Sequence, residues 1–340
     1  MSKMKATYGE PKDNYSAKIR IKSTVLVIWF IILTVICLLP IYILVINATR
    51  EHKDIANSLS FIPGTHLFKN LETINTNPTM KMAYDAFHGY KNSLIITTLS
   101  CFLTVFFSAM TAYGIHVYDF KLKDISYTVI LLVMMVPMQV TSAGFVSFMA
   151  DLHLTNTKIP LILPAIAAPA VVYFMRSYMK SSFPLEIVEA ARIDGCNEFR
   201  TFVSIAIPMM KPAIAVQAIF AFIASWNNYY TPNMILINVD LKEKTLPMMV
   251  AGIQASDKLN DYGAVYLALA LAIIPIIIAY VFLSRFIIAG VALGGVKEQF
   301  PNIFKTSLFA RAFFLLPNFF LHFLSYSSLH LHIILLKGVY

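Results

Sequence analysis

The sequence predicts an all-α integral membrane protein with six transmembrane helices and a short cytoplasmic helix between the fourth and the fifth. Three observations support this prediction. Hydrophobic residues make up 58% of the 340 residues and charged residues only 13%, more apolar surface than one soluble core can bury. Six apolar runs are each long enough to cross about 30 Å of hydrocarbon. A polar, helix-forming stretch, residues 181–208, separates the fourth run from most of the fifth.

The charged flanks set the predicted orientation of the chain. Residues 1–23 are polar and carry six Lys and Arg residues, which predicts a cytoplasmic N-terminal segment. The first span begins at Thr24; it is longer than a signal-peptide core and lacks a small-residue cleavage site. We place the spans at residues 24–47, 92–116, 125–150, 159–178, 202–226 and 263–284. Both flanks of the bundle then lie in the cytoplasm.

Two long outer loops, residues 48–91 and residues 227–262, join these spans. The first loop has mixed charge and no long apolar run, so we expect little intrinsic structure in it. Prolines recur inside the spans, where neighbouring helices compensate the hydrogen bonds that proline removes. Kinks, and not breaks, are therefore expected at Pro40, Pro137, Pro164, Pro169, Pro208, Pro212 and Pro275.

The polar stretch is predicted to hold a surface helix of about three turns. Pro184 suits the first turn, where a missing N–H leaves no hydrogen bond unmade, and Gly195 suits the left-handed position that closes a helix. Acidic side chains decorate this helix, and a small, apolar stripe at helical spacing is formed by Leu185, Val188 and either Ala191 or Arg192.

Several function classes are disfavoured. The net charge of +9 lies mostly in loops beside the spans, so it does not indicate nucleic-acid binding. The three cysteines predict neither a disulfide nor a metal site. No phosphate-binding loop, H-E-x-x-H or G-x-S-x-G motif occurs, so we assign no catalytic residue and no cofactor and do not expect an enzyme. Lys211, at the start of the fifth span, favours snorkelling over an ion pathway, which disfavours an ion-driven carrier.

Uncharged polar residues in or beside the spans are candidates for the route of a hydroxyl-rich solute. We single out Gln139, Asn92 and Asn227, although hydrogen bonds between helices explain such residues equally well. The aromatic residues within 226–230 form either a sugar-stacking platform or part of the aromatic belt at the membrane interface.

One motif carries a family resemblance. Glu189-Ala-Ala191, then Gly195 after three residues and Ile205-Ala-Ile207-Pro208 after nine more, resembles the EAA loop of binding-protein-dependent ABC importer permeases, with Ile207 in place of the usual Leu. Further segments are similar to the carbohydrate branch of that family, the maltose-type inner-membrane permeases: Asn92-Ser-Leu, Ala112-Tyr-Gly, Leu161-Ile-Leu-Pro164, Lys211-Pro-Ala213 and Ser225-Trp-Asn-Asn228. The resemblance covers most of residues 20–298.

The resemblance implies a subunit of an ATP-driven sugar importer in the bacterial plasma membrane, surrounded by lipid. Its implied partners are a cytoplasmic ATPase dimer that binds the ATP, a second homologous permease, and an extracytoplasmic solute-binding protein docked on the outer loops. For Arg192 and Asp194, local pairing or solvation explains the charges equally well. The residues implied to couple to the ATPase are Glu189, Ala190, Ala191, Asp194 and Gly195.

Alternatives remain for the solute and for the function class. A permease for glycerol phosphate or another polyol would show basic groups along the pore, and none is evident at depth. A membrane-embedded enzyme would need clustered carboxylates or histidines, and a secondary carrier would need intramembrane ionisable residues. The sequence does not name the sugar.

The end of the chain departs from the family pattern. Residues 299–340 are rich in Phe and His and contain no Asp or Glu. Their apolar run fits a seventh span, an interfacial hairpin or a non-native extension, of which we favour a dispensable extension. We therefore take residues 24–298 as the transporter domain and expect deletion after Glu298 to preserve transport.

Overall fold

The computed structural model describes residues 14–254 and 261–294, and every regular element within these ranges is helical. Single turns of another type occur at Leu163–Ile166 and Leu241–Glu243, which are 3₁₀, and at Phe202–Ala206, which is π-helical. The predicted all-α fold class is confirmed. The α-helices are α1 Asn14–Ala48, α2 His52–Asn57, α3 Leu67–Thr76, α4 Pro78–Ala83, α5 Ala86–Val117, α6 Lys123–Met134, α7 Met138–Asp151, α8 Ile159–Ile162, α9 Pro169–Ser182, α10 Glu186–Ile193, α11 Glu198–Thr201, α12 Ile207–Met209, α13 Lys211–Trp226, α14 Tyr230–Ile235, α15 Leu246–Gln254 and α16 Tyr262–Gly294.

The described chain falls into two compact units, residues 14–43 and residues 44–294. Most of α1 makes up the first unit, and its apolar side chains from Val25 onward are largely exposed. An apolar helix with exposed sides suits contact with lipid or with another subunit. The predicted tail, residues 299–340, lies outside the described residues.

Four helical stretches are long and apolar enough to cross a membrane: Ser23–Ala48, Pro78–Val117, Ile159–Ser182 and Tyr262–Phe282. Two further stretches qualify only as bent pairs, α6 with α7 at an angle of 100°, and Glu198–Met209 with α13 at 81°. If each bent pair is one span, the count reaches six. The structure thus supports four to six spans, and the count of six stays a prediction.

Prolines account for the bends, and the expectation of kinks without breaks was wrong at several of them. Pro40 and Pro275 lie inside continuous helices. The chain leaves helical geometry at Pro137, which precedes α7, and again before Pro169, the first residue of α9. Because proline has no N–H to donate, these sites lose a helical hydrogen bond, and the chain reorients there.

The first outer loop is folded, contrary to expectation. It contains α2, α3 and α4, which are held by buried polar contacts. Arg50 is only 6% exposed, and its guanidinium donates to the carbonyl oxygens of Asp54 at 2.8 Å and Ser58 at 3.0 Å. Asn70 of α3 donates to the carbonyl oxygen of Arg50 at 3.0 Å. The contact between Asn70 and Arg50 links residues 20 positions apart, so local composition did not indicate it.

Helix α5 lies at the centre of the second unit, because α9, α13 and α15 all pack against it. Near the C-terminal end of α5, an apolar cluster joins α5 to α9, α10 and the π-helical turn. Its buried members include Tyr113, Met175, Met179, Val188, Phe202 and Met210. The polar stretch singled out in the sequence is thereby anchored to the body of the unit.

Candidate functional site

The central element of the polar stretch is α10, which is shorter than predicted. It contains eight residues and begins after Leu185, so Pro184 precedes the helix and does not belong to its first turn. Its end matches the prediction, since Gly195 has φ of +77°. The N–H of Gly195 donates to the carbonyl of Arg192 at 3.0 Å, and the N–H of Cys196 to that of Ala191 at 2.9 Å. These two bonds form a Schellman motif, which needs a left-handed residue at this position.

The two faces of α10 differ sharply. Val188 and Ala191 are 1% and 4% exposed, and Val188 lies in the apolar cluster beside α5 and α9. Leu185 joins this stripe only in part, with 43% of its surface exposed. The other predicted coupling residues, Glu189, Ala190, Asp194 and Gly195, are exposed. Ala191 therefore holds the helix in place, while the remaining four face away from the body of the protein.

Large apolar side chains also face outward here. Ile193 is 86% exposed and Phe199 of α11 is 66% exposed. With the carboxylates of Glu186 and Glu189 nearby on α10, they give an exposed surface that is both apolar and acidic. We call the exposed residues from Glu186 to Arg200 the coupling surface, after the role that the family resemblance implies for them. Such a surface fits a partner with an apolar groove and basic groups at its rim.

Glu198 ties the coupling surface to the end of α5, a contact that the sequence did not reveal. Arg192 Nε donates to Glu198 Oε1 at 2.7 Å, and Tyr118 Oη donates to Glu198 Oε2 at 2.6 Å. The open question for Arg192 is thus answered by local pairing. Tyr118 and Glu198 lie 80 positions apart, so no helical spacing signals their contact.

This network shifts the titration of its members. Partial burial raises the pKa of Tyr118 to about 12, and the hydrogen bond to the Glu198 carboxylate adds to the shift. The same carboxylate raises the pKa of Arg192 above its usual value through their hydrogen bond. Both groups therefore keep their protons at any physiological pH, and the network stays intact.

Two of the three residues proposed for the solute route lie near a common contact. Ser142 Oγ and Tyr230 Oη are 2.9 Å apart and join α7 to α14. Gln139 is exposed one turn before Ser142, and Asn227 is half-buried three residues before Tyr230. The pair thus borders one polar junction, and its contact with solute stays a prediction.

Asn92 lies elsewhere and has a full set of protein partners. It is 3% exposed, and its amide nitrogen donates to the carbonyls of Lys242 and Lys244 at 2.8 and 2.9 Å. Its Oδ1 accepts from Lys158 Nζ at 2.8 Å. A solute could contact Asn92 only by displacing these bonds. Its place on the route stays a prediction, and its hydrogen bonds give it a structural role.

Lys158 completes a clamp over the second outer loop. Its Nζ lies 2.7 Å from Glu243 Oε2, and this hydrogen bond, followed by the positive charge, lowers the pKa of Glu243 below its usual value. A carboxyl group whose pKa is lowered by folding stabilises the folded state at any pH above its unfolded-state pKa. That stabilisation is lost as the pH falls through the folded-state pKa. The clamp, formed by Asn92, Lys158 and Glu243, is thus charged and closed at neutral pH.

Of the aromatic cluster at residues 226–230, Trp226 is part of the core. It is 2% exposed, stacks on Phe222 with 5.9 Å between ring centroids, and donates from Nε1 to the carbonyl of Ala272 at 3.2 Å. Tyr230 remains 39% exposed. Of these two rings, only Tyr230 presents a substantial surface to a solute.

Metal chemistry finds no support in the part of the chain that the structure describes. Within it, no group of three or more His, Cys, Asp and Glu side chains is placed to hold a metal ion. Cys37, Cys101 and Cys196 are free thiols. The arrangement described above can bind and move, and it lacks a constellation for bond-breaking chemistry.

Comparison with known protein families places most of the described helices in one of them. Residues 104–293 match the family described as the binding-protein-dependent transport system inner membrane component. The matched region runs from the middle of α5 almost to the end of α16. It therefore includes α10 and the whole coupling surface.

Two curated relatives cover most of this chain. The arabinooligosaccharides transport system permease protein AraQ of Bacillus subtilis is 31% identical over 286 residues, which cover 83% of this chain and 99% of AraQ. The sn-glycerol-3-phosphate transport system permease protein UgpE of Escherichia coli K12 is 27% identical over 256 residues, covering 75% of this chain and 90% of UgpE.

A solved structure shares the fold. It is the crystal structure of a bacterial ABC transporter involved in the import of the acidic polysaccharide alginate, with a TM-score of 0.66 and 19% identity. The match covers 82% of this chain and 99% of the solved chain. At this identity the likeness concerns the arrangement of helices alone.

Proposed function

The chain belongs to the family of binding-protein-dependent transport system inner membrane components, and from this premise we propose that it forms half of the translocation pathway of an ATP-driven sugar importer. Membership makes it a permease subunit of an ABC importer in the cell membrane and not an enzyme. Such importers work with an ATPase and a solute-binding protein. The roles of individual residues and the identity of the solute are proposals.

The coupling surface is the proposed point at which energy enters. An ATPase dimer on the cytoplasmic side would receive Ile193 and Phe199 in an apolar groove, with basic groups opposite Glu189. The support is that Ile193 is 86% exposed on a short helix whose other face is locked into the core by Val188. A side chain this exposed gains hydrophobic free energy only when a partner covers it.

Gly195 permits the sharp exit that presents α10 to this partner. Its positive φ costs a residue with a Cβ roughly 1–2 kcal/mol. Ala190 and Asp194 share the exposed face and are proposed to lie in the contact. Ala191 is proposed to act indirectly, because it packs inward and fixes the helix beneath the contact.

The remaining partners follow from the topology. With the N-terminus and α10 on the cytoplasmic side, the clamp of Asn92, Lys158 and Glu243 and the folded loop 48–91 lie outside. There they are proposed to meet a solute-binding protein. A second, homologous permease would supply the other half of the pathway, facing the polar junction between Gln139 and Asn227.

A sugar is favoured over glycerol phosphate as solute. The relative named for arabinooligosaccharides is matched over more of this chain, and at higher identity, than the relative named for glycerol phosphate. The polar junction at Ser142 and Tyr230 offers hydroxyl and amide groups, which suit a neutral polyhydroxylated solute.

An uptake assay with a solute panel tests this proposal. The assembled transporter, reconstituted with its solute-binding protein and with ATP on the ATPase side, is offered arabinooligosaccharides, other oligosaccharides and glycerol phosphate. We expect ATP-dependent uptake of an oligosaccharide and none of glycerol phosphate. Uptake of glycerol phosphate alone would replace the sugar assignment with the polyol phosphate alternative, and uptake without ATP would overturn the importer.

A further inference from the structure

Arg176 is a buried cation for which the described residues supply no counter-charge. It lies on α9 and is only 8% exposed, and its Nε is buried without a hydrogen-bond acceptor. Its guanidinium carbon sits 3.7 Å from the ring centroid of Tyr127 on α6. Within residues 14–254 and 261–294, this ring contact is the one interaction found for the guanidinium.

A guanidinium in this position needs an acceptor. It carries five N–H donors. Burying a charge without partners costs roughly several kcal/mol, so proteins usually pair or hydrate such a group. A cation–π contact is worth only about 0.5–2 kcal/mol and satisfies no N–H donor. A ligand with an acceptor atom would satisfy the buried Nε, which has no hydrogen-bond partner among the described residues.

The surroundings of Arg176 select an anion. Lys180 is exposed one helical turn after Arg176 on α9, and Lys123 lies one turn before Tyr127 on α6. Residues four apart share a helix face, and α9 ends where α6 begins in the proposed topology, so both lysines extend toward the same end. Asp124 is the one acidic residue of these two helices; it is exposed and makes no ion pair with Arg176.

We propose that Arg176, with Lys123 and Lys180, binds the phosphate of an anionic lipid headgroup where α6 and α9 meet. The phosphate oxygens accept from the guanidinium, whose planar fork matches them, while the ring of Tyr127 holds that plane in place. A soluble phosphate has the same chemistry. The lipid is the source chosen here because this meeting point lies at the cytoplasmic end of two proposed spans, at the depth of the headgroups.

This proposal rests on the membrane topology of the proposed function but not on the solute or on the coupling surface. The experiment uses the assembled transporter, purified through a tag on this chain and stripped of loosely bound lipid. Native mass spectrometry then measures binding of phosphatidylglycerol, with phosphatidylcholine as the zwitterionic comparison and inorganic phosphate as competitor.

The wild-type complex is expected to bind phosphatidylglycerol in preference to phosphatidylcholine. Arg176→Gln is expected to weaken phosphatidylglycerol binding about tenfold or more, since hydrogen bonds to a charged group are lost. Arg200→Gln is the matched control for lipid binding alone, because Arg200 is exposed on α11 and no contact of its side chain is found among the described residues; as a member of the coupling surface it is not used as a control for uptake. It should bind phosphatidylglycerol as the wild type does.

Other outcomes overturn the proposal. Equal binding by Arg176→Gln and wild type excludes the site, and full competition by millimolar inorganic phosphate makes the ligand a soluble anion. Loss of the second permease from Arg176→Gln, with unchanged lipid binding, makes the ligand a partner carboxylate. If Arg176→Gln fails to assemble, the double variant Lys123→Gln with Lys180→Gln decides. It should weaken binding about fivefold or more, and no change would refute the site.

ATP-driven uptake by the same preparation is measured alongside. Absence of uptake by the wild type would overturn the proposed function and leave the lipid result standing.

Discussion

At the scale of single residues, Glu198 is the contact that links the coupling surface to the rest of the protein. One carboxylate oxygen binds Arg192 of α10 and the other binds Tyr118 at the end of α5. Without Glu198, α10 would keep the apolar packing of Val188 and Ala191 and a looser contact of Arg192 with the Tyr118 ring, whose centroid lies 5.8 Å from the guanidinium carbon. Movement imposed on α10 by a partner would then reach α5 less directly.

Replacing Glu198 tests this link. Glu198→Gln removes the charge and weakens both hydrogen bonds. ATP-driven uptake is therefore expected to fall about two- to fivefold, the fold-change that corresponds to the free energy of an exposed ion pair. The complex should still assemble, because the apolar face of α10 is unchanged. Asp119→Asn is the matched control, since it removes an exposed carboxylate next to Tyr118 and leaves the network intact. Uptake and subunit composition are measured on the same preparations, and a Glu198→Gln variant that transports like Asp119→Asn would refute the link.

Residues of this region differ in how far the sequence could predict them. Gly195 was predicted because a local rule, the left-handed end of a helix, acts within a few positions, and its φ of +77° agrees. Helical spacing assigned Val188 to an apolar stripe with either Ala191 or Arg192, and the structure buries Val188 and Ala191 while Leu185, the third stripe member, is 43% exposed. Glu198 and Lys158 were missed, because their partners lie on other elements and no local pattern encodes such a meeting.

At the scale of elements, α5 supplies hydroxyl groups that replace hydrogen bonds lost in its neighbours. Thr104 Oγ1 donates to the carbonyl of Ala165 at 2.9 Å, and Ser100 Oγ to that of Leu161 at 3.1 Å. The Ala165 carbonyl would be bonded by residue 169 in a regular helix, but Pro169 has no N–H. The break between α8 and α9 is thus stabilised from outside.

Thr104→Val removes this hydroxyl at nearly constant volume. The part-buried carbonyl of Ala165 then loses its hydrogen-bond donor. We expect the free energy of unfolding to fall by about 0.5–1.5 kcal/mol, the range found for hydrogen bonds between membrane helices. Thr128→Val is the matched control, because the hydroxyl of Thr128 is exposed and bonds only within α6, to Asp124. Thermal unfolding of the purified complex should show a lower Tm for Thr104→Val than for Thr128→Val. Equal Tm values would contradict the stabilising role.

The sequence predicted the elements unevenly. The C-terminal ends of two long apolar helices were placed within one residue, since α1 and α5 end at residues 48 and 117 against predicted ends at 47 and 116, but their starts lie ten and six residues before the predicted ones. The helices of loop 48–91 were missed because they are short, and short helices depend on tertiary contacts such as those of Arg50 and Asn70. Breaks at prolines were underestimated, because a neighbour such as Thr104 can stabilise an open turn that the proline-bearing segment alone cannot.

At the scale of the whole molecule, α5 connects the proposed outer and inner sites. Its start carries Asn92 of the clamp, and its end is followed by Tyr118, which binds Glu198. A continuous helix of 32 residues is about 48 Å long, enough to reach from one side of a membrane to the other. Movement of α10 against a partner can thus reach the outer loops through a single stiff element.

The central claim is that outside energy enters this subunit through α10, and ATP-driven uptake by coupling-surface variants tests it most directly. Glu189→Lys reverses an exposed charge of the proposed docking contact, and Gly195→Pro cannot adopt a φ of +77° because proline is held near −65°. Asp119→Lys, a charge reversal outside the coupling surface, is the control. We expect both variants to lose ATP-dependent uptake in proteoliposomes while the binding protein still captures solute and the control transports normally. Wild-type uptake by Glu189→Lys and Gly195→Pro would contradict the claim.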